Sequence, residues 1–197
     1  MLLATFDLDF TIWRPEMYQL QGPPKLVSVN DFEGRKTRRK GRSFVVPSPS
    51  LKGSSTIHVN KIVTDRVGTP ISVFDGAAHA LSEINRMKKE GHPIKAAISS
   101  RTDEPSWARQ CMQWLIADDG TPLSECFDYI EISYDDKSRH FESLSRKTGI
   151  AYDDMCFFDN EHRNIVSVSQ LGVKCIYTPD GMTKDAWNEA LRHFYLM

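Results

Sequence analysis

The chain has 197 residues, 40% of them hydrophobic and 26% charged, with a formal net charge of −1. That composition describes a soluble globular protein with one full core and room for a small appendage, and it excludes a disordered or low-complexity chain. No apolar run reaches the length of a membrane span, so no membrane association is expected, and a charge balance this close to zero selects no acidic or basic partner.

The first element is a short apolar run, Leu2, Leu3, Ala4 and Phe6, which predicts a strand buried on both faces. It begins so near Met1 that no leader segment is expected. The run leads into Asp7-Leu8-Asp9, and Thr11 follows two residues later. Period-2 geometry puts Asp7 and Asp9 on the same side of an extended segment. Two carboxylates side by side after a buried strand are costly unless a cation or a proton lies between them.

Between Trp13 and Asp75 the regular pattern stops. Residues 14–74 hold Pro15, Pro23, Pro24, Pro47, Pro49 and Pro70, a Ser-rich turn at 48–55, and a basic run in which six of the eight residues 35–42 are Lys or Arg. Short β-like runs occur at 25–29, 43–46 and 57–63. A structureless loop of this length is improbable inside a compact domain, so 14–74 is read as an inserted flap or small β-rich cap within a single domain spanning 1–197. The basic run reads as a solvated loop tip or a localisation-like segment, with substrate steering as the sharper alternative. Aromatic residues do not interleave with it, so no nucleic-acid partner is expected.

From Asp75 onward, helices and strands alternate. Asp75 is expected to cap a helix carrying Ala77, Leu81, Ile84 and Met87, with Lys88 and Lys89 in its last turn and Gly91 beyond it. A strand over 94–98 ends in Ser99-Ser100-Arg101-Thr102, and a helix with Trp107, Ala108, Cys111, Trp114 and Leu115 follows. Residues 127–132 read as a strand, and Lys137 opens a helix that closes at Gly149. A further strand, 155–158, runs into Asp159-Asn160-Glu161. Its helix carries Ile165, Val166 and Val168 and stops near Gly172; a strand over 173–177 and a helix capped by Thr183 complete the chain. Trp107, Trp114 and Trp187 read as core, whereas Trp13 either packs inside or floors a pocket.

Short apolar strands alternating with amphipathic helices give an α/β, Rossmann-like parallel sheet covered on both faces. Such sheets bind ligands at the carboxyl ends of their strands. Here those ends deliver Asp7 and Asp9, Ser99 and Ser100, residues 135–137, and Asp159 to Glu161. The four cysteines, Cys111, Cys126, Cys156 and Cys175, lie in or beside apolar runs without paired spacing. They read as buried thiols of a reducing compartment rather than a zinc site, which suits a cytoplasmic protein, with the nucleus as the alternative.

Asp7-Leu8-Asp9-Phe10-Thr11 after a buried strand, a strand-end Ser, a Lys and a strand-end acid, in this order, resemble the four motifs of the haloacid dehalogenase superfamily of phosphatases. FDLDFTIW, SSRT, DKSRHFE, FFDNEHRNI and LGVKCI further resemble the strings of its eukaryotic magnesium-dependent phosphatase family. The resemblance covers residues 1–13 and about 75–185. It implies Mg2+ as cofactor, held by Asp7, Asp159 and the backbone carbonyl of Asp9. It implies Asp7 as the nucleophile that forms an aspartyl-phosphate and Asp9 as the general acid/base. Ser100, the hydroxyl immediately before Arg, and Lys137 would bind the phosphoryl group, with Arg101 beside them.

Many relatives carry a second Asp where this chain has Asn160. Asn160 adds no charge, and Glu161 is the other candidate ligand there. His162, Arg163 and Asn164 stand beside motif positions as candidate lining residues. The implied activity is hydrolysis of a phosphate monoester, borne by a phosphotyrosine-like group of a phosphoprotein or by a small molecule such as a sugar phosphate. Two rivals use the same fold: a phosphoacceptor that does not hydrolyse, and a binding protein that works through the insert.

Overall fold

The computed structural model describes residues 1–32 and 61–194. Five parallel strands form the central sheet: β1 (Leu2–Phe6), β6 (Ile94–Ser100), β7 (Tyr129–Ile132), β8 (Met155–Asp159) and β9 (Lys174–Tyr177), in the order β7-β6-β1-β8-β9. The intervening β2 (Trp13–Arg14) pairs antiparallel with β5 (Ser72–Val73), and β3 (Lys25–Ser28) pairs antiparallel with β4 (Lys61–Thr64). After the insert the helices are α1 (Asp75–Lys89), α2 (Pro105–Trp114), α3 (Leu123–Cys126), α4 (Lys137–Thr148), α5 (His162–Ser169) and α6 (Lys184–His193).

The period of two along β1 divides it between two cores. Leu2, Ala4 and Phe6 face a core that includes Ala77, Leu81 and Ile84 of α1, Cys111 of α2 and Trp187 of α6. Leu3 faces the other core, with Phe141 and Leu144 of α4 and Val168 of α5. A strand apolar at consecutive positions is what this two-sided burial requires, and each large side chain fully buried contributes roughly 1.5–3 kcal/mol. Phe6 stacks on Phe158 of β8 with ring centroids 4.9 Å apart, which ties the two strands that end in the acids.

Helix termini follow local chemistry. Gly149 closes α4 at φ 71°, a left-handed conformation that a side chain disfavours. Thr183 caps α6, its hydroxyl accepting the Ala186 N–H at 3.1 Å. One expected cap is displaced: Phe74, not Asp75, is the extended residue before α1, and its carbonyl accepts from Ala77 and Ala78. Asp75 is already helical and serves α1 from the first turn, where a carboxylate suits the dipole. Gly76 allows α1 to cross α6 closely, since a Cβ there would lie 2.3 Å from the Thr183 backbone.

Several sequence-read boundaries also shift by one or two residues, those of the strands read over 94–98, 155–158 and 173–177 among them. The strand read over 127–132 begins at Tyr129, because Phe127 still terminates α3. Trp107 and Trp114 are half-buried against the core rather than inside it. Of the β-like runs in the insert, 25–29 appears as β3 and the end of 57–63 as β4. The run at 43–46, the Ser-rich turn and the basic run at 35–42 lie outside the described residues.

Order in the sheet reverses at β1, because the chain leaves it toward β6 and β7 and later returns on its other side as β8. Parallel sheets open a crevice at such a reversal, beyond the carboxyl ends of the strands. β1 and β8 both end there in aspartates.

Candidate active site

A cleft of about 330 Å3 opens at these strand ends, lined by Asp7, Asp9, Ser100, Arg101, Lys137, Asn160 and Glu161 among others. Asp159 lies beneath them, fully buried at the end of β8.

Asp7 continues β1 by one residue, its N–H donating to the Phe158 carbonyl at 3.0 Å. Lys137, the first residue of α4, is only 2% exposed, and its ammonium projects between two carboxylates. Nζ is 2.5 Å from Asp7 Oδ1 and 3.2 Å from Asp159 Oδ2, and it also donates to the Ser99 carbonyl. Asp159 is held from its other side: Oδ1 accepts the Glu161 N–H at 2.7 Å, and Asn164 Nδ2 lies 3.2 and 3.0 Å from its two oxygens. Burial raises the Asp7 carboxyl above its ordinary range; Lys137 opposes this and Asp159 adds to it. Asp159 is likewise raised by burial and lowered by Lys137.

Asp9 is placed by a tight turn. The Leu8 carbonyl accepts from the N–H groups of Thr11, Ile12 and Trp13, and Phe10 adopts φ 56°, a left-handed conformation uncommon for an aromatic residue. The turn brings the Trp13 indole N–H to Asp9 Oδ1 at 2.8 Å. Trp13 is completely buried, so it supports the site from within the core as a donor. Burial also raises Asp9, against hydrogen bonds from Trp13 and Thr102 that lower it.

Ser100 lines the cleft, whereas the Ser99 hydroxyl turns to His140 Nδ1 at 3.0 Å. The Asn160 N–H donates to Thr11 Oγ1 at 3.1 Å, which joins the Asp9 turn to the end of β8. Glu161 is bound by Arg163, with Nε and Nη2 at 2.8 and 3.0 Å, and by Asn164 at 3.0 Å. Arg163 and Asn164 line the cleft, but His162 packs edge-on against Tyr177 outside it.

Asp7, Asp9 and Asp159 gather three carboxyl groups around one lysine, so the floor offers hard oxygen donors. That donor set fits magnesium, which takes one or two carboxylates and completes its shell with water and phosphate oxygens. Among the described residues no group of three or more His, Cys, Asp or Glu side chains could hold a metal by itself.

Sequence reasoning missed Glu16, Tyr18, Thr102, Asp103 and Tyr134, which complete the lining. Thr102, Asp103 and Tyr134 follow strand ends, so the rule that found Ser100 could have found them. Glu16 and Tyr18 carry no such signal: Glu16 precedes and Tyr18 lies within a single 3-10 turn (Met17–Gln19) at the start of the insert.

Among the described residues no helix is long and apolar enough to cross a membrane. The sequence profile of the acid phosphatase family matches residues 1–196. The chain is 31% identical to human magnesium-dependent phosphatase 1 over 192 residues, covering 98% of this chain and 86% of that protein. Its fold is similar to a haloacid dehalogenase-like hydrolase from Xanthomonas campestris (TM-score 0.53, 13% identity, 98% of this chain and 91% of that one). It is similar also to a family enzyme from Bacteroides thetaiotaomicron solved with magnesium and inorganic phosphate (TM-score 0.50, 12% identity, 90% and 93%).

Proposed function

We infer the reaction from one premise: the chain belongs to the acid phosphatase family and is a magnesium-dependent phosphatase with a haloacid dehalogenase-type fold. The observation that carries the assignment of roles is the Lys137 ammonium held between the carboxylates of Asp7 and Asp159 at the floor of the cleft.

In this reading Asp7 attacks phosphorus in line, the bond from phosphorus to the leaving oxygen breaks, and an aspartyl-phosphate forms. Asp9 gives its proton to the leaving oxygen, then takes one from the water that hydrolyses the intermediate. Its burial favours the protonated form that the first step needs, and the Trp13 indole fixes its direction. Lys137 offsets the charge of Asp7 and of the phosphoryl oxygens, while Ser100 and Arg101 offer donors from the cleft wall. Magnesium, held by Asp7, Asp159 and the Asp9 carbonyl, supplies Lewis-acid screening of the dianion. Asn160 and Glu161 act around that set, since Asn160 is tied to Thr11 and Glu161 to Arg163.

The substrate is a phosphate monoester. Exposed Tyr18 and Tyr134 on the lining support a planar, phosphotyrosine-like leaving group; the Arg101, Asp103 and Glu16 side chains would equally serve a sugar phosphate. Glu16 and Tyr18 support a role for residues 14–74 as a wall inserted into a single 1–197 domain. The cysteines are free, and burial raises the thiols of Cys111, Cys126, Cys156 and Cys175, which supports a cytoplasmic or nuclear setting.

The deciding assay is hydrolysis of an aryl phosphate by wild type and Asp7→Asn, with magnesium and with chelator. Turnover that requires magnesium and disappears in the variant is expected. Magnesium-dependent turnover that survives Asp7→Asn would remove Asp7 as nucleophile.

A further inference from the structure

Lys137 and His140 stand three residues apart in the first turn of α4, and both engage Ser99 of β6. Lys137 bonds the Ser99 carbonyl; His140 Nδ1 lies 3.0 Å from the Ser99 hydroxyl. The opposite ring nitrogen, Nε2, lies 2.9 Å from Ser133 Oγ beyond the end of β7. Ser133 Oγ in turn lies 2.9 Å from Asp135 Oδ2.

Proton counting fixes the direction of this chain. Asp135, as a carboxylate, only accepts, so the one hydroxyl proton of Ser133 goes to it. Ser133 Oγ must then accept from His140, which puts hydrogen on Nε2. Nδ1 of the neutral ring is left bare and accepts the Ser99 hydroxyl proton. Every group is satisfied in this one arrangement. An imidazolium would present an N–H to Ser99 as well, forcing that hydroxyl to turn away, and would place a second positive charge near Lys137.

We propose that His140 is a positioning residue for phosphoryl transfer: a neutral ring protonated on Nε2, it wedges between the Ser99 and Ser133 hydroxyls and holds Lys137 and the Ser100 strand end in register. The proposal rests on the reading of Lys137 and Ser100 given above. The ring is 2% exposed, and α4 thereby grips both the carbonyl and the hydroxyl of the residue preceding Ser100. Burial and Lys137, with Arg101 farther down in effect, pull the imidazole to about 4, while Glu131 and Asp135 pull the other way. These are the charged groups that face it, and their balance keeps the ring neutral in the physiological range.

Two measurements test the strut. Long-range 15N–1H correlation spectra of the wild-type protein should show His140 as the Nε2–H tautomer from neutral pH down to about 5. For aryl phosphate hydrolysis, His140→Phe preserves ring volume without either hydrogen bond, and kcat should fall about 10–100-fold with KM little changed. His140→Asn, whose amide oxygen can stand where Nδ1 accepts from Ser99, should recover much of that loss. In a Lys137→Met background, His140→Phe should cost clearly less than it does in wild type, because part of its effect runs through Lys137. An Nδ1–H tautomer, a charged ring at neutral pH, or losses that simply multiply in the double variant would each overturn the proposal. An inactive Lys137→Met beside a fully active His140→Phe overturns it while sparing the assigned site; full activity in Lys137→Met overturns both.

Discussion

Replacing Lys137 with methionine keeps the aliphatic stem and removes the ammonium from between Asp7 and Asp159, at 2.5 and 3.2 Å. Breaking a buried ion pair by deleting one partner costs about 3–5 kcal/mol, because the remaining charge is stranded. Burial already raises Asp7 to about 8 beside Lys137, so a carboxyl that takes up a proton relieves the stranding and keeps the loss toward the low end of that range. For a domain of this size the metal-free variant should melt roughly 6–20 °C below wild type near neutral pH. Calorimetry in chelator measures this directly.

The pH dependence has a definite sign. Burial raises Asp7 and Lys137 lowers it, so without Lys137 the folded carboxyl keeps its proton to still higher pH. In both proteins the folded state binds more protons than the unfolded chain as pH rises above about 4; wild type stops losing stability on this account near its folded value of about 8, and the variant goes on losing above it. On acidification the stranded group becomes the wild type's own ammonium, and the gap closes. Magnesium replaces the missing positive charge, so it should raise the melting temperature of the variant more than that of wild type, although kcat falls by about 100-fold or more. Equal melting temperatures in chelator, with equal gains from magnesium, would refute the placement of Lys137 between the carboxylates.

Trp13→Phe removes the 2.8 Å indole hydrogen bond that lowers Asp9, so the Asp9 carboxyl should rise further and the basic limb of kcat/KM against pH should move upward. An unmoved limb would show that Trp13 only packs. Asp65→Ala tests the turn behind the cleft wall, where one carboxylate accepts from Gln21, Val67, Gly68 and Thr69 at 2.7–3.0 Å. Its loss should cost about 2–3 kcal/mol in urea unfolding near neutral pH. Burial would raise Asp65, but these backbone donors prevail and lower it, so its contribution is complete above about 4 and fades as pH falls through the depressed folded value. A wild-type to variant difference that grows on acidification would contradict that sign.

The parts of this molecule legible in its sequence are those set by periodicity and burial. Leu2, Leu3, Ala4 and Phe6 announced a strand covered on both faces because two cores demand consecutive apolar residues. Ser100, Lys137 and Asp159 were legible because each stands where a buried strand ends or a helix begins. Glu16 and Tyr18 were not, because a chain that turns back over the cleft after β2 does so through a two-residue strand and one 3-10 turn, too short to show a period. His140 was invisible for a different reason. Read along α4 it is one polar residue on a helix, and only the approach of Ser99 and Ser133 from two strands makes it a strut.

Asp7 and Asp9 show how two like side chains, two residues apart, come to differ. Asp7 still belongs to the sheet: its N–H continues the β1–β8 pairing, so its carboxylate faces Lys137 and Asp159 across the strand ends. Had the strand continued, Asp9 would face the same charges. Instead the left-handed Phe10 ends the extended chain, Leu8 caps the turn with its carbonyl, and Trp13 meets Asp9 with a neutral donor. Burial and Asp159 push Asp7 toward its protonated form and the Lys137 ammonium opposes them, whereas the burial of Asp9 is opposed by neutral hydrogen-bond donors. Environments that separate two carboxyls in this way divide nucleophile from acid. The division rests on one tight turn, closed by the Leu8 carbonyl and by the Trp13 indole on Asp9.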